Sequence, residues 1–384
     1  MVDCGSMGGT VEHDPSAPVL PDYSGANLVG IVPALLGGGP LPSWLPVPVQ
    51  GASSVILVVL DGLGWNQLHE RRDIAPTLTA MSGGAITSVV PSTTATALTS
   101  ISTGLPPSEH GIVGYRVWVR GQVTNMLRWW SSDGDQRTSL PPAEMQPHRP
   151  FCGQRVPYVT SAELVGSAFS EAHLRGGRPI GYRAGSSLPV LAAQEAAGGE
   201  PFVHAYYAGI DRIAHERGFG PFYDAELRAA DRLVADIIDR VGPDTAVLVT
   251  ADHGQVEVGD RILAPSAGVL RCTQFQSGEG RMRWFHARPG SADELYVRLV
   301  EQFADIGWVK RRAEVIQEGW FGNDVPSPVA ARLGDVVVAA REPVSLDDPD
   351  DSGPYDLVCR HGSLTPDEML VPLIAARGVA PTSS

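Results

Sequence analysis

The chain is poor in thiols. Its 384 residues hold four cysteines, Cys4, Cys152, Cys272 and Cys359, so far apart that no C-x-x-C pair occurs. That scarcity argues against a disulfide scaffold and fits a reducing compartment, so the expected location is cytoplasmic. Long apolar runs are missing too: nothing approaches the roughly 20 residues of a membrane span. The N-terminal segment lacks the basic stretch and apolar run of a secretory leader, and no membrane partner is expected. Positive charge is scarce, with 29 Lys and Arg against 43 Asp and Glu and a formal net charge of −14. Without a basic patch to offset phosphate repulsion, a nucleic-acid polymer is excluded as the main partner. A content of 43% hydrophobic and 19% charged residues is that of a globular chain, long enough for one large domain with an insertion or for two domains.

What is present is a set of five short segments that place metal-binding side chains where a strand or helix should end. VILVVLDGLG carries Asp61, and PSTTATALTS carries Thr93 and Thr94. FVHAYYAGIDRIAH offers Asp211 and His215 four residues apart; AVLVTADHG ends in Asp252 and His253; CRHGSLTPDEM contains His361. Apolar runs such as VILVVL read as buried parallel strands, and ligands collect beyond the carboxyl ends of such strands. Asp61, Asp211 and Asp252 would therefore meet on one rim of a sheet, with His215 one helical turn beyond Asp211. After Pro91 the run of Ser, Thr and Ala reads as a helix start with Ser92 or Thr93 as its cap. A hydroxyl in that first turn sits at the positive end of the helix dipole, which favours an alkoxide and a bound phosphate.

Singly, each segment has an ordinary explanation: Asp-Gly is turn chemistry, and an Asp and His four apart can simply solvate a helix face. Their joint occurrence carries the metal reading. Small phosphorylated molecules, nucleotides among them, are the substrates such a site would take, because metals supply the missing positive charge. His110 and His204 read as structural histidines, and the adjacent Trp129 and Trp130 cannot share one face of a strand, so core packing is their expected role.

The segments, in this order, resemble the alkaline phosphatase superfamily and, within it, the nucleotide pyrophosphatase/phosphodiesterase family. The resemblance covers Val55 to Tyr115, Pro201 to Val256 and Val358 to Leu373. It implies a three-layer α/β/α sandwich with a mostly parallel central sheet and a small inserted α/β cap. It further implies two divalent metal ions, zinc with Mn²⁺ as the alternative. One would be held by Asp61, Asp252, His253 and the Thr94 oxygen, the other by Asp211, His215 and His361. With Pro91 and the T-G-L-x-P-x-x-H-G-I stretch, Thr103 to Ile112, as rulers, the nucleophile falls on Thr94, next to Thr93. The implied activity is hydrolysis of small phosphodiesters or phosphoanhydrides through a phospho-threonine.

Two departures bear on substrate. Where the family places an Asn that helps hold a phosphate oxygen, this chain has Tyr115, so that contact falls to Tyr115, a backbone N–H, Arg116 or Asn125. The sulfatase signature C/S-x-P-x-R is absent around Thr94. A phosphomonoesterase or phosphonate hydrolase on the same metals is the first alternative; no Arg adjoins Thr94 to meet the extra charge of a monoester, which favours a diester. A metal-stabilised binding module without catalysis is the second.

Along the chain, residues 1–50 are expected to form a partly mobile N-terminal segment with a short helix near Leu28 to Leu36. Residues 51–255 and 335–376 are expected to form the catalytic core, and 256–334 the inserted cap. A helix is expected from Tyr223 to Val241 and a polar loop from Leu140 to Pro150. Arg332 to Ala340 is expected to return to the core, MLVPLIAA to form a last strand, and GVAPTSS to be a disordered tail.

Overall fold

A computed structural model describes residues 17–351 and 357–379. The expected mobility of the first residues up to 16, and of the tail from 380 onward, lies outside the described residues, as does Cys4.

A strand covered on both faces needs an unbroken apolar run, and VILVVL has one. It forms β1 (Ser54–Leu60), buried at every position. Around it lie β2 (Ser82–Thr87), β3 (Pro157–Ser161), β4 (Arg178–Tyr182), β5 (Phe202–Tyr207), β6 (Thr245–Thr250) and β7 (Leu370–Arg377). Their order is β2-β7-β6-β1-β5-β3-β4. The run from β6 to β4 is parallel throughout, whereas β7 is antiparallel to both β6 and β2. The sheet is thus mostly parallel, as expected. Val59 of β1 pairs with Tyr206 on one side and Thr250 on the other, so three strands end at one level.

Five helices position the site and its supports: α1 (Thr94–Thr103), α2 (Leu188–Ala197), α3 (Gly209–Arg217), α4 (Pro221–Arg240) and α5 (Ala292–Phe303). α2 packs on β5, β3 and β1, and α4 packs on α2. The stripe Tyr223, Leu227, Ala230, Val234 and Ile237 of α4 is buried, the helical periodicity read from the sequence. The short N-terminal helix is found at Leu28–Gly30 and Ile31–Leu36. Trp129 is buried and donates its indole N–H to the Leu140 carbonyl at 2.6 Å, while Trp130 is 55% exposed, so the pair divides between core and surface.

A second, four-stranded antiparallel sheet runs Thr273–Glu279, Met282–Ala287, Val336–Ala340, Gly307–Arg311. Val336–Ala340, expected to return to the central sheet, instead lies in the middle of this smaller one. The reason is visible in its alternation. Val337 and Ala339 join the main core, whereas Val336 and Val338 pack with Leu295, Leu299 and Phe303 of α5. A run buried on both faces satisfies either sheet, so hydrophobicity alone does not say which one it joins.

One ion pair fastens this sheet to the segment that leads into β7. Arg281 and Glu368 are both fully buried and meet through two bonds, Nε to Oε1 at 3.0 Å and Nη2 to Oε2 at 2.8 Å. The remaining guanidinium donors reach the carbonyls of Ala340, Glu342 and Val344. Glu368 accepts in turn from the Ser363 N–H at 3.0 Å and the Thr365 hydroxyl at 2.6 Å. Glu368→Ala would strand a buried guanidinium; the expected loss is about 3–5 kcal/mol of stability, read from the urea midpoint, and a loss below about 1 kcal/mol would show that the pair is not an anchor.

Histidine burial sets an acid limit. His110 accepts the Ile112 N–H on Nδ1 at 3.1 Å, which leaves Nε2–H to donate to the Ser100 hydroxyl at 2.9 Å. Burial, with His148 and Arg332 nearby, pushes its pKa from 6.5 down to about 3. The unfolded chain takes up the proton first as pH falls. The stability is therefore complete above pH 6.5 and is lost as the pH drops toward 3. His110→Gln keeps an acceptor and a donor but does not titrate, so its stability should fall less steeply between pH 6.5 and 4, by up to about 1.4 kcal/mol per pH unit. Parallel stability curves for the two proteins would refute the assignment.

Candidate metal centre

The three parallel strands β1, β5 and β6 deliver the acidic residues. Asp61 follows β1, and its N–H donates to the Tyr207 carbonyl at the end of β5 at 2.9 Å. The Asp211 N–H donates to the Asp61 carbonyl at 3.1 Å, so the two chain turns are laced together. Gly62 permits this approach: its φ is +76°, and a Cβ there would lie 2.9 Å from the Asp211 Cβ. Asp211 and His215 stand one turn apart on α3, and Asp252 and His253 directly follow β6. His361 arrives separately, after Cys359–Arg360, which pairs with Val256–Glu257; the bridge between Ser92 and Gly362 sets it beside the start of α1.

These residues form two triads. Potential ligand atoms of Asp61, Asp252 and His253 lie within 4.8 Å of one another, and the same holds for Asp211, His215 and His361. His253 Nε2 is 3.6 Å from Asp61 Oδ1 and 3.4 Å from Asp252 Oδ2. His215 Nε2 is 3.2 Å, and His361 Nε2 3.8 Å, from Asp211 Oδ1. The rings of His253 and His361 stack at 3.5 Å, so the triads are neighbours.

Backbone carbonyls orient all three imidazoles. Nδ1 of His215 bonds the Cys359 carbonyl at 2.7 Å, that of His253 the Gly254 carbonyl at 3.0 Å, and that of His361 the Ser92 carbonyl at 3.0 Å. A carbonyl only accepts, so Nδ1 carries a proton in each ring and Nε2 is the nitrogen turned toward the carboxylates. This is the second-shell pattern of metal-bound histidine.

The carboxylates carry the complementary signal. Asp61 Oδ1 and Asp252 Oδ2 are buried with no hydrogen-bond partner among the described residues. Burial, then repulsion from Asp252 and Asp211, pushes the Asp61 carboxyl well above the usual range, and burial raises that of Asp252. At Asp211 burial also acts upward, but His215 and His361 outweigh it and hold the carboxyl below the usual range. Unpaired buried carboxylates of this kind are costly unless a cation meets them. The donor sets of oxygen and imidazole nitrogen fit divalent zinc or manganese.

Thr94 stands where α1 meets the first triad, its Oγ1 3.1 Å from His253 Nε2. Thr93, the N-cap, makes no cap bond with its side chain and lines a cavity together with Glu279. Two cavities meet at Thr94. One, of about 360 Å³, includes Thr93, Tyr115, Glu279, Arg283, Asp347 and His361. The other, of about 440 Å³, is mostly apolar, with Leu98, Leu164, Phe169, Leu174, His204 and Tyr206 in its wall.

All seven residues singled out in the sequence as metal ligands or nucleophile thus converge. Of the candidates for the phosphate-oxygen contact, Tyr115 lines a cavity. Arg116 is buried in an ion pair with Asp348, and the Asn125 side-chain oxygen is occupied by the N–H groups of Leu127 and Arg128. Three further residues reach the site without a sequence motif to mark them. The Tyr206 hydroxyl donates to Asp61 Oδ2, Gln255 Nε2 donates to Asp211 Oδ1 at 2.9 Å, and Glu279 enters from the smaller sheet. Tyr206 lies in the predicted β5 and Gln255 two residues past His253, but only the strand register brings them to the ligands.

The fold is shared with solved structures. Human ectonucleotide pyrophosphatase/phosphodiesterase 5 matches with a TM-score of 0.63 at 15% identity, covering 84% of this chain and 87% of that one. Phosphonoacetate hydrolase from Sinorhizobium meliloti 1021, in complex with phosphonoformate, matches with a TM-score of 0.61 at 18% identity, covering 90% and 94%. An inactive form of the murine phosphodiesterase 5 protein in complex with AMP matches with a TM-score of 0.62 at 14% identity, covering 85% and 88%. No curated protein matches the chain. Residues 55–364 match the family described as type I phosphodiesterase / nucleotide pyrophosphatase. The chain belongs to that family, an alkaline-phosphatase-like hydrolase of phosphoric ester bonds.

Proposed function

We propose that this protein hydrolyses small phosphodiesters or phosphoanhydrides, nucleotide derivatives among them, with Thr94 as nucleophile. The observation that carries the reading is the position of the Thr94 hydroxyl, 3.1 Å from His253 Nε2 at the N-terminus of α1, beside the first of two neighbouring triads of ligand-type side chains. Asp61, Asp252, His253 and Thr94 would hold one divalent ion, and Asp211, His215 and His361 the other. Bound there, the ions would lower the pKa of the threonine hydroxyl and neutralise charge on the phosphoryl group. Zinc is the first choice and Mn²⁺ the alternative.

Thr94 gives up its hydroxyl proton to solvent, and Oγ1 forms a bond to phosphorus as the bond to the leaving oxygen breaks; that oxygen keeps the electron pair and takes up a proton where it leaves as an alcohol. Water then attacks the phospho-threonine, the Oγ1–P bond breaks, and a proton from that water restores the Thr94 hydroxyl as the phosphoryl product departs. The free N–H groups of the first turn of α1 face the same place and favour the anion. Tyr206 keeps its proton, because burial and the neighbouring Asp61 hold its pKa well above the ordinary phenol value, and so fixes the Asp61 carboxylate. Two adjoining cavities that share Thr94 leave room for two substituents on phosphorus, which favours a diester over a monoester. No helix among the described residues is long and apolar enough to cross a membrane. The free thiols Cys152, Cys272 and Cys359 support a reducing, cytoplasmic setting.

With metal-stripped protein reconstituted with Zn²⁺ or Mn²⁺, a nitrophenyl diester should turn over faster than the matching monoester. Thr94→Ala should lose at least about 1,000-fold in kcat/KM with its thermal midpoint retained, and unchanged turnover would assign the nucleophile elsewhere. Calorimetric titration of the stripped protein should give two ions per chain; one ion, or no rise in thermal midpoint on adding metal, would overturn the two-ion centre.

A further inference from the structure

The smaller sheet sends one side chain into the site. Glu279 closes the strand Thr273–Glu279 and is only 7% exposed. It lines the cavity that holds Thr93, Thr94 and His361. Its Oε1 is buried and has no hydrogen-bond partner among the described residues. The backbone makes room for it: a Cβ at Gly362 would lie 2.6 Å from the Glu279 Cδ, so any other residue there would displace the carboxyl. Two other acids of this wall are held by arginines: Asp348 and Asp351 are engaged by Arg283, and Asp348 also by Arg116. Burial raises the Glu279 carboxyl to about 8, with Thr93 and Arg283 acting against that rise and Asp351 and Glu368 adding to it. In either protonation state one carboxyl oxygen accepts a hydrogen bond.

A buried acceptor left open at the edge of a cavity is expensive unless a ligand fills it. The second cavity adjoins the first at Thr94, Leu127 and His215 and is the more apolar of the two, with Leu98, Leu164, Phe169 and Leu174 in a wall that also holds Arg212 and Glu216. We propose that Glu279 is a substrate-contacting specificity residue, whose open oxygen accepts a hydrogen bond from a hydroxyl on one ester substituent, so that the preferred diester pairs a hydroxyl-bearing group with an apolar one. This rests on the phosphodiesterase reading and adds the chemistry of the substituent.

The test compares glyceryl phenyl phosphate with propyl phenyl phosphate on the metal-reconstituted enzyme. The wild-type protein should prefer the glyceryl ester, and Glu279→Ala should lower the glyceryl-to-propyl ratio of kcat/KM by roughly 10- to 100-fold. Glu279→Gln, which keeps an acceptor oxygen, should restore most of that ratio. Glu279→Met fills the same space without an acceptor and should repeat the alanine result even where the smaller side chain perturbs folding. Binding is read separately from turnover. The non-hydrolysable (3,4-dihydroxybutyl)phenylphosphinate, with carbon bonded to phosphorus in place of both ester oxygens, should raise the thermal midpoint of the wild-type protein more than butyl(phenyl)phosphinate does, and that difference should vanish in Glu279→Met. Equal losses on both esters, or an unchanged ratio, would overturn the role of Glu279 and leave the phosphodiesterase reading intact. Failure of the wild-type enzyme to cleave either ester would overturn both.

Discussion

Three carboxylates crowded onto one rim of a buried sheet are the constraint around which this molecule is arranged. β1 is sealed on both faces and flanked by β5 and β6, so Asp61 cannot retreat toward solvent, and Asp252 emerges from the adjacent strand end. A buried carboxylate costs several kcal/mol unless paired, and two oxygens in this group have no partner among the described residues. The surrounding groups are arranged to direct that charge, not to cancel it. Tyr206 fixes one oxygen of Asp61, Gln255 one oxygen of Asp211, and the three imidazoles, held at Nδ1 by carbonyls, turn Nε2 inward. No Lys or Arg forms an ion pair with Asp61, Asp211 or Asp252 among the described residues. Such a site gains from divalent cations what a core ion pair would gain from arginine.

The same constraint explains why the smaller sheet cannot be a loose appendage. His361 is brought to the rim by a segment that is far from the other ligands in sequence. The loop behind it is held by Glu368, which accepts from Ser363 and Thr365 while its carboxylate is clamped by Arg281 of the smaller sheet. Alternate side chains of Val336–Ala340 pack into the main core and against α5. His361, its clamp and Glu279 therefore belong to one packed unit, and a disturbance of the smaller sheet is transmitted to His361 through Arg281.

Legibility in the sequence depends on whether a feature is local. The apolar run of β1, the spacing of Asp211 and His215, and the stripe of α4 are local patterns with a fixed geometric meaning, and each lies where its period puts it. Tyr206 and Gln255 are in contact with ligands only because β1, β5 and β6 pair in one particular register, which no short window contains. Val336–Ala340 departs from its expected sheet for a related reason. Its five residues are buried on both sides, and an apolar run records burial without recording which sheet supplies it. Glu279 reaches the site through a strand end and the space above Gly362, both properties of tertiary packing.

The adjacent threonines show how a one-residue difference becomes a division of labour. Thr93 is extended, with φ −133° and ψ 146°, while Thr94 is the first helical residue, so the two side chains leave the chain in different directions. Thr94 meets His253, while Thr93 lines the same cavity as Glu279. Thr93 makes no side-chain cap for α1, so the N–H it would have taken up in the first turn is left beside Thr94. The missing cap lowers the intrinsic stability of the helix start by about 1 kcal/mol, a cost offset by leaving a positive helix end beside the hydroxyl proposed as the nucleophile. Local stability has been given up at the point where charge recognition needs it.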